Sequence, residues 1–185
     1  MDNIFGMGTT VRHGRLLGLL ENSILNLFFE KKIEHFSESV KLVYYGNKKR
    51  APGNCELVCV DNIICVDNIK GELEFKDIMN DLGDVEPDYM HFSKGNDFIL
   101  NKKETRVAGY PNLIVEVWSE NNSTLDREFK KYLYSTSAIT EHWYIEQDSN
   151  VVECWYGDSR IDDKNLADIL KTRDGIEFDL RYLKL

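Results

Sequence analysis

Residues 111–118 read PNLIVEVW, an apolar run rich in β-branched side chains that contains one carboxylate, Glu116. Runs of this kind are typical of a strand inside a sheet that is covered on both faces. Burying an unpaired carboxylate costs several kcal/mol because the charge loses its hydration, so Glu116 needs a partner or a role in chemistry. The run therefore predicts a central strand and makes Glu116 the first candidate functional residue.

The composition is that of one soluble globular domain. The chain has 185 residues, of which 42% are hydrophobic and 30% charged, so a single domain covering residues 1–185 can bury a substantial core. Its longest apolar stretch, residues 16–29, contains Glu21, Asn22 and Asn26, which excludes a membrane span and the uninterrupted core of a signal peptide. We therefore expect a cytoplasmic protein without a membrane partner.

Several function classes are excluded by missing motifs. The four cysteines include no CxxC pair, and no histidines stand at finger-like spacing, which argues against a structural zinc site. No GxSxG motif is present and the four histidines form no recognisable set of nucleophile and base, which argues against a serine hydrolase. The GMG near the N-terminus lacks the third glycine and the preceding strand of a dinucleotide-binding loop.

The formal net charge of −9 works against any polyanionic partner, because nucleic-acid-binding proteins usually carry a basic field. A nucleic-acid partner would therefore require local basic groups or metal ions. The candidates for phosphate contacts are Lys48, Lys49, Arg50, Lys102, Lys103 and Arg106. The alternative is that these side chains are solvated loop charges.

The predicted elements run in the order helix, strands, helix, strands. Residues 1–11 read as a loose arm, and from Arg12 to about Lys31 apolar residues recur every three or four positions, which predicts an amphipathic helix. Strands are predicted at SVKLVYYG, VEPDYMHF, NLIVEVW, EHWYIE and VVECWYG. A short helix is predicted at residues 75–82, an irregular loop or hairpin at residues 93–110, and an edge strand or docked tail at IEFDLRYLKL.

A second helix is predicted after Ser123, which forms an approximate capping box with Asp126. The order of elements indicates an α/β or α+β fold with a mixed central β-sheet flanked by helices.

One constellation carries chemistry. Asp88 follows the proline of EPD at a strand, Glu116 lies in the next long strand, and the second helix presents Asp126, Lys130 and Tyr134 at four-residue steps on one side. Two carboxylates on neighbouring strands can hold Mg²⁺ or Mn²⁺, which can polarise a phosphodiester and lower the pKa of a bound water. A lysine beside them can orient that water or stabilise negative charge on the phosphate.

Four motifs occur in one order between residues 86 and 156: EPDYMHF, YPNLIVEVWSENN, DREFKKYLY and EHWYIE. A fifth, weaker motif is HGRLLGLL, which begins with His13. This arrangement closely resembles the Uma-two family of restriction-endonuclease-like proteins, a branch of the PD-(D/E)XK nuclease superfamily. The resemblance implies the restriction-endonuclease-like core, a mixed sheet flanked by helices.

The resemblance also implies roles for individual residues. Asp88 and Glu116 would be the ligands of Mg²⁺ or Mn²⁺, and Lys130 would be the catalytic lysine relocated to the helix. In the basic superfamily pattern that lysine stands two residues after the glutamate, where this chain has Trp118. The residues expected to support these groups are Ser119, Asp126, Tyr134 and Glu141.

Two of these supporting residues have an alternative interpretation. Ser119 either supports Glu116 through its hydroxyl or simply ends the strand. Asp126 is either a first-turn helix acid that pairs with Lys130 or itself a metal ligand.

The implied activity is a metal-dependent endonuclease that hydrolyses DNA phosphodiester bonds, acting as a homodimer. The chain departs from the family in lacking a YELIDG-like segment before the first helix, in reading Pro111-Asn112 at the second PD, and in carrying an apparent insertion at about residues 55–84. Two alternatives therefore stand beside nuclease activity. One is a nuclease-fold binding or assembly module that no longer cuts, and the other is a metal-dependent hydrolase of another phosphorylated substrate.

Overall fold

The computed structural model describes residues 11–30, 32–37, 40–50, 56–63, 82–95, 98–100, 103–120, 122–135, 140–146 and 149–181. Two α-helices lie in this part of the chain, α1 at Val11–Phe29 and α2 at Thr124–Ser135. The strands are β1 Ile33–Ser37, β2 Lys41–Arg50, β3 Glu56–Ile63, β4 Leu82–Val85, β5 Tyr89–Ser93, β6 Phe98–Leu100, β7 Arg106–Gly109, β8 Leu113–Trp118, β9 Glu141–Glu146, β10 Val151–Tyr156, β11 Ser159–Arg160, β12 Lys164–Asn165, β13 Ile169–Lys171 and β14 Glu177–Asp179.

The central sheet has the strand order β1-β5-β8-β9-β10-β11, with β12 also paired to β10. Its β8–β9 pair is parallel and the other pairs are antiparallel, so the sheet is mixed. A second sheet has the order β3-β2-β7-β6 with β4 on β2, and β13 and β14 form a separate pair. The expected α+β fold with a mixed central sheet is confirmed.

Strand β8 is the central strand that the apolar run predicts, because all six of its residues are buried. Its side chains alternate between two apolar clusters. Val115 and the residues two positions before and after it pack with the buried residues of α1. Ile114 and Trp118 pack with Leu133 and Tyr134 of α2. Each helix therefore covers one face of the sheet, and the even-numbered positions of β8 face α2.

The ends of the two helices follow from their sequences. Helix α1 buries Leu16, Leu20 and Ile24 at helical spacing and ends at Phe29, short of the expected Lys31. Helix α2 begins after Ser123, whose Oγ accepts a hydrogen bond of 3.1 Å from the backbone N–H of Asp126. This contact is the N-cap that the sequence predicts.

The strand predicted at VEPDYMHF is present only from Tyr89, as β5, and its first residue, Val85, instead ends β4. Strand β4 ends at Val85 and pairs with β2, while β5 begins at Tyr89 and pairs with β1 and β8. Pro87 has no N–H to donate to a ladder, so the chain breaks there and passes from one sheet to the other. Asp88 therefore lies at the junction of the two sheets.

The remaining sequence expectations have mixed outcomes. Within residues 93–110, β6 and β7 form the hairpin alternative. The described part of the C-terminal segment, residues 176–181, is docked, because β14 pairs with β13 and its Phe178 is buried in the cluster beneath α1. Val11, the last residue of the arm predicted at 1–11, begins α1, and Leu82, the last residue of the helix predicted at 75–82, begins β4. The rest of both segments lies outside the described residues. Neither described helix is long and apolar enough to cross a membrane.

Candidate metal centre

Asp88, directly before β5, lies beside Glu116 of the neighbouring strand β8. Strand β5 pairs with β8 in antiparallel register, with Tyr89 opposite Val115 and Met90 opposite Ile114. Asp88 precedes Tyr89 and Glu116 follows Val115, so the same register continued by one residue would bring their side chains to one face of the sheet. Asp88 is held there by its Oδ2, which accepts a hydrogen bond of 2.6 Å from the backbone N–H of Val117.

The Glu116 carboxylate receives two hydrogen bonds from helix α2. Lys130 Nζ donates to Oε2 at 2.7 Å, and the Tyr134 hydroxyl donates to Oε1 at 2.5 Å. Lys130 also donates to the backbone carbonyl of Glu86 at 3.1 Å, beside the strand junction. The two donors are four residues apart and so lie on the same side of the helix. This arrangement provides the partners that a carboxylate with only 1% exposure requires.

The electrostatics of the centre are set by burial and by the charges beside it. Burial raises the pKa of Glu116 to about 7; the positive charge of Lys130 opposes this change, and the negative charge of Asp88 reinforces it. Burial alone would lower the pKa of Lys130, but the Glu116 carboxylate, with Asp88 and Asp126, raises it overall. Lys130 is therefore a cation at neutral pH. Another positive charge beside Glu116 would lower the pKa of its carboxyl group and favour loss of the proton.

The carboxylates of Asp88 and Glu116 are the donor type that hard divalent cations prefer. Among the described residues, no group of three or more His, Cys, Asp and Glu side chains is arranged to hold a metal. The protein would thus contribute two carboxylates, a number that Mg²⁺ commonly uses together with water molecules. The donor set fits Mg²⁺ or Mn²⁺ on this chemistry.

His13 is a site residue to which the sequence interpretation assigned no role. It lies in the first turn of α1, and its Nε2 is 3.4 Å from Oδ1 of Asp88. The side chain is 12% exposed, so it stands at the edge of the centre. The weak motif at HGRLLGLL is the one signal in the sequence that could have indicated His13.

The structure distinguishes between the alternative interpretations of Ser119 and Asp126. Ser119 does not reach Glu116, because its hydroxyl donates to Asn122 Oδ1 at 3.2 Å and its backbone N–H donates to the same oxygen at 2.8 Å. It ends strand β8 in a turn, which is the alternative interpretation. Asp126 is exposed in the first turn of α2, and its charge helps to raise the pKa of Lys130.

Glu141 lies on the opposite face of the sheet from Glu116, which corrects its expected supporting role. Tyr144 is the residue of β9 that pairs with Glu116, and Glu141 is three positions earlier, in the other phase of the strand. Its Oε1 accepts hydrogen bonds from Trp143 Nε1 at 2.7 Å and Lys164 Nζ at 3.1 Å, and its Oε2 accepts one from the backbone N–H of Arg173 at 2.7 Å. Glu141 therefore ties the C-terminal segment to the sheet.

Trp118 occupies the position that holds the lysine in the basic superfamily pattern. Its ring stacks on Tyr144 with centroids 4.4 Å apart, and the cationic groups of Arg127 and Lys131 lie 4.9 Å and 5.2 Å from its centroid. An aromatic residue in this packed position supplies no cation to Glu116. The ammonium group beside the carboxylate comes from Lys130 on the helix instead.

The described basic candidates for phosphate contacts lie on β2 and near β7. Lys103 is exposed in a turn, whereas Arg106 pairs with Asp84 at 2.9 Å, beside Lys41 at 3.3 Å from the same carboxylate. Lys48, Lys49 and Arg50 lie on β2, where only the backbone is described, and Lys102 lies outside the described residues. Part of the basic charge near β7 is thus compensated by an acid.

Comparisons with known proteins give the fold and the family of the chain. The structure matches a crystal structure described as "a putative nuclease belonging to DUF820 from Anabaena variabilis ATCC 29413", with a TM-score of 0.55 and 10% sequence identity over 100% of this chain and 87% of that chain. Residues 71–180 match the family model Uma2, described as "Putative restriction endonuclease", which covers more than half of the chain. The chain therefore belongs to the Uma2 family. No curated protein matches the chain in sequence.

Proposed function

We propose that the protein is a metal-dependent endonuclease that hydrolyses DNA phosphodiester bonds with Mg²⁺ or Mn²⁺. One observation carries the proposal: Lys130 Nζ lies 2.7 Å from Oε2 of Glu116, close to Asp88, whose negative charge acts on the same carboxylate. Two carboxylates and an ammonium group then share one centre. Family membership supports the nuclease class of this chemistry.

Asp88 and Glu116 would hold the cation, which when bound polarises the phosphodiester and lowers the pKa of a water molecule. The backbone N–H of Val117 fixes Asp88, and the Tyr134 hydroxyl fixes Glu116, so both carboxylates are oriented before substrate arrives. Lys130 can then place its positive charge against the negative charge that develops on the phosphate. Because Lys130 is 13% exposed, its ammonium group can reach a substrate from the edge of the core.

The proposal includes a cytoplasmic location and a two-fold homodimer. Two copies related by a two-fold axis would present one centre to each strand of a duplex. Sedimentation or light scattering of the purified protein measures the assembly, and a monomer at all concentrations would remove this part of the proposal.

The test is a cleavage assay on supercoiled, linear and single-stranded DNA with Mg²⁺, Mn²⁺ and EDTA. The parent should cut only with a divalent ion, and Glu116→Gln and Asp88→Asn should abolish cleavage while remaining folded. Lys130→Met should lower the cleavage rate by at least about a hundredfold while changing DNA affinity little, as expected for a group that acts mainly in the transition state. Equal losses of rate and affinity would contradict this role and indicate that Lys130 only contacts the DNA backbone.

Lys131→Met is the matched control. Lys131 is the adjacent helix lysine, and its ammonium group pairs with Glu153 at 2.5 Å and lies 5.2 Å from the ring centroid of Trp118. Its replacement should leave the cleavage rate within a factor of about two, because surface ion pairs contribute little. A loss as large as that of Lys130→Met would show that the helix charge as a whole is required, and not this lysine.

A second function is favoured by the net charge of −9 and by the compensation of Arg106 by Asp84. On this alternative the protein is a nuclease-fold binding or assembly module that no longer cuts. DNA retention without cleavage under any metal condition would establish it. Turnover of a small phosphodiester without cleavage of DNA would instead indicate a hydrolase of another phosphorylated substrate.

A further inference from the structure

Tyr134 is the most firmly fixed of the groups that contact Glu116. Its side chain is fully buried, and its hydroxyl is 2.5 Å from Oε1. Lys130, which contacts Oε2, has a flexible stem and is 13% exposed. The two oxygens of Glu116 are thus held unequally, one by a rigid aromatic donor and the other by a movable ammonium group.

This inequality bears on how the carboxylate can meet a cation. A phenol has one proton to donate, and here that proton is committed to Oε1. The buried ring also occupies space beside that oxygen, because Tyr134 packs with Ile114 and Leu133 in the cluster beneath α2. A cation that used both oxygens would compete with the phenol for the charge on Oε1, whereas one that used Oε2 alone would compete only with the movable Lys130.

Divalent cations differ in their use of carboxylates. Ca²⁺ takes six to eight oxygen ligands in flexible geometry and often uses both oxygens of a carboxylate. Mg²⁺ demands a near-octahedral arrangement and is usually held by one or two carboxylates and several water molecules. A centre that offers one oxygen of Glu116 therefore suits the second kind of ion better than the first.

We propose that Tyr134 is a specificity-determining residue that restricts Glu116 to binding a cation through one oxygen and so makes the centre favour Mg²⁺ and Mn²⁺ over Ca²⁺. The inference rests on the proposed function, since it takes Asp88 and Glu116 as the cation ligands. It goes further by assigning the choice of ion to a residue that touches the ligand and not the ion.

The test measures the dissociation constants of Mn²⁺ and Ca²⁺ by calorimetry, without DNA, in the parent and in Tyr134→Phe. The parent should bind Mn²⁺ at least about tenfold more tightly than Ca²⁺, and the phenylalanine variant should lose about tenfold of that preference, which is the effect of one hydrogen bond to a charged group. Tyr144→Phe is the matched control, because Tyr144 is also a buried tyrosine of this cluster but its hydroxyl donates to His142 Nδ1. That variant should keep the preference of the parent.

The outcomes separate the two proposals. If the parent binds neither ion, the metal centre itself is refuted and the inference falls with it. If the parent binds both ions equally, the inference alone is refuted, and this measurement does not depend on the folding of any variant. If the parent prefers Mn²⁺ but Tyr134→Phe changes both affinities by the same factor, Tyr134 only orients Glu116, and the inference is again refuted while the metal centre stands.

Discussion

Each carboxylate of the candidate centre has two partners. Glu116 receives hydrogen bonds from two residues of α2, and Asp88 contacts the backbone of β8 and the imidazole of His13 on α1. Contacts of this kind fix the orientation of metal ligands and can matter to affinity nearly as much as the ligands themselves. The roles of these residues are therefore open to test by metal binding alone.

We expect His13→Ala to weaken Mn²⁺ binding several-fold without unfolding the protein. The reason is that Asp88 loses the imidazole 3.4 Å from its Oδ1 while its hydrogen bond to Val117 remains. Arg15→Ala is the control, because Arg15 is an exposed residue of the same helix. Calorimetric titration of the three proteins measures the effect, and an unchanged affinity in His13→Ala would show that Asp88 is oriented without it.

At the scale of elements, α2 supplies both side chains that hold Glu116. Lys130 and Tyr134 are one turn apart, so the position of the helix determines the position of both donors at once. The helix is anchored at its start by the Ser123 cap and along its length by Leu133 and Tyr134 in the core. The stability of α2 and the geometry of the centre are thus linked.

Ser123→Ala should destabilise the protein by about 1 kcal/mol, the usual effect of losing an N-cap hydroxyl. The matched control is Ser135→Ala at the other end of α2, where the exposed hydroxyl donates to the carbonyl of Tyr132 and should contribute much less. Urea unfolding of the two variants measures the difference. Equal stability of both variants would mean that the first turn of α2 is held by packing and not by its cap.

The parts of the fold that the sequence predicted are those in which the signal is local. The run LIVEVW and the four-residue steps of α2 carry their periodicity within a few residues, and both elements are present. The division of VEPDYMHF between two sheets depends on partners that lie far away in the chain, so periodicity alone did not reveal it. Pro87 was the local signal, and it was read only as the mark of a motif.

The same distinction explains the site residues. Asp88, Glu116 and Lys130 were found through motif order, and the structure brings them together, although their roles stay predictions. Glu141 was placed beside Glu116 because sequence gives the alternation within β9 but not its phase relative to β8. His13 was missed because its contact with Asp88 joins a helix to a distant strand junction.

At the scale of the whole molecule, two buried groups give opposite contributions to the pH dependence of stability. Burial raises the pKa of Glu116 from 4.5 to about 7, so its contribution is fully present below pH 4.5 and is lost as the pH rises through 7. Burial lowers the pKa of His142 from 6.5 to about 4, so its contribution is present above pH 6.5 and is lost as the pH falls through 4. Each difference in pKa is equivalent to about 3 kcal/mol.

We therefore expect the two contributions to cancel largely between pH 4.5 and 6.5 in the metal-free parent. Glu116→Gln should unmask a stability that rises with pH in this range, and His142→Gln should unmask one that falls. Urea unfolding in EDTA at several pH values measures the slopes. If both variants kept the slope of the parent, neither group would change its proton binding on folding, and the assigned pKa directions would be wrong.

The position of β8 between β5 and β9 has a consequence for folding during synthesis on the ribosome. Asp88 and Glu116 lie beside each other only when β5 is paired with β8, and β8 is enclosed only when Glu141–Glu146 is in place beside it. Chains emerge N-terminal end first, and contacts between distant segments form late. A growing chain from which β9 has not yet emerged lacks the strand that completes the surroundings of β8. We therefore expect the centre around Asp88 and Glu116 to assemble only after β9 has left the ribosome.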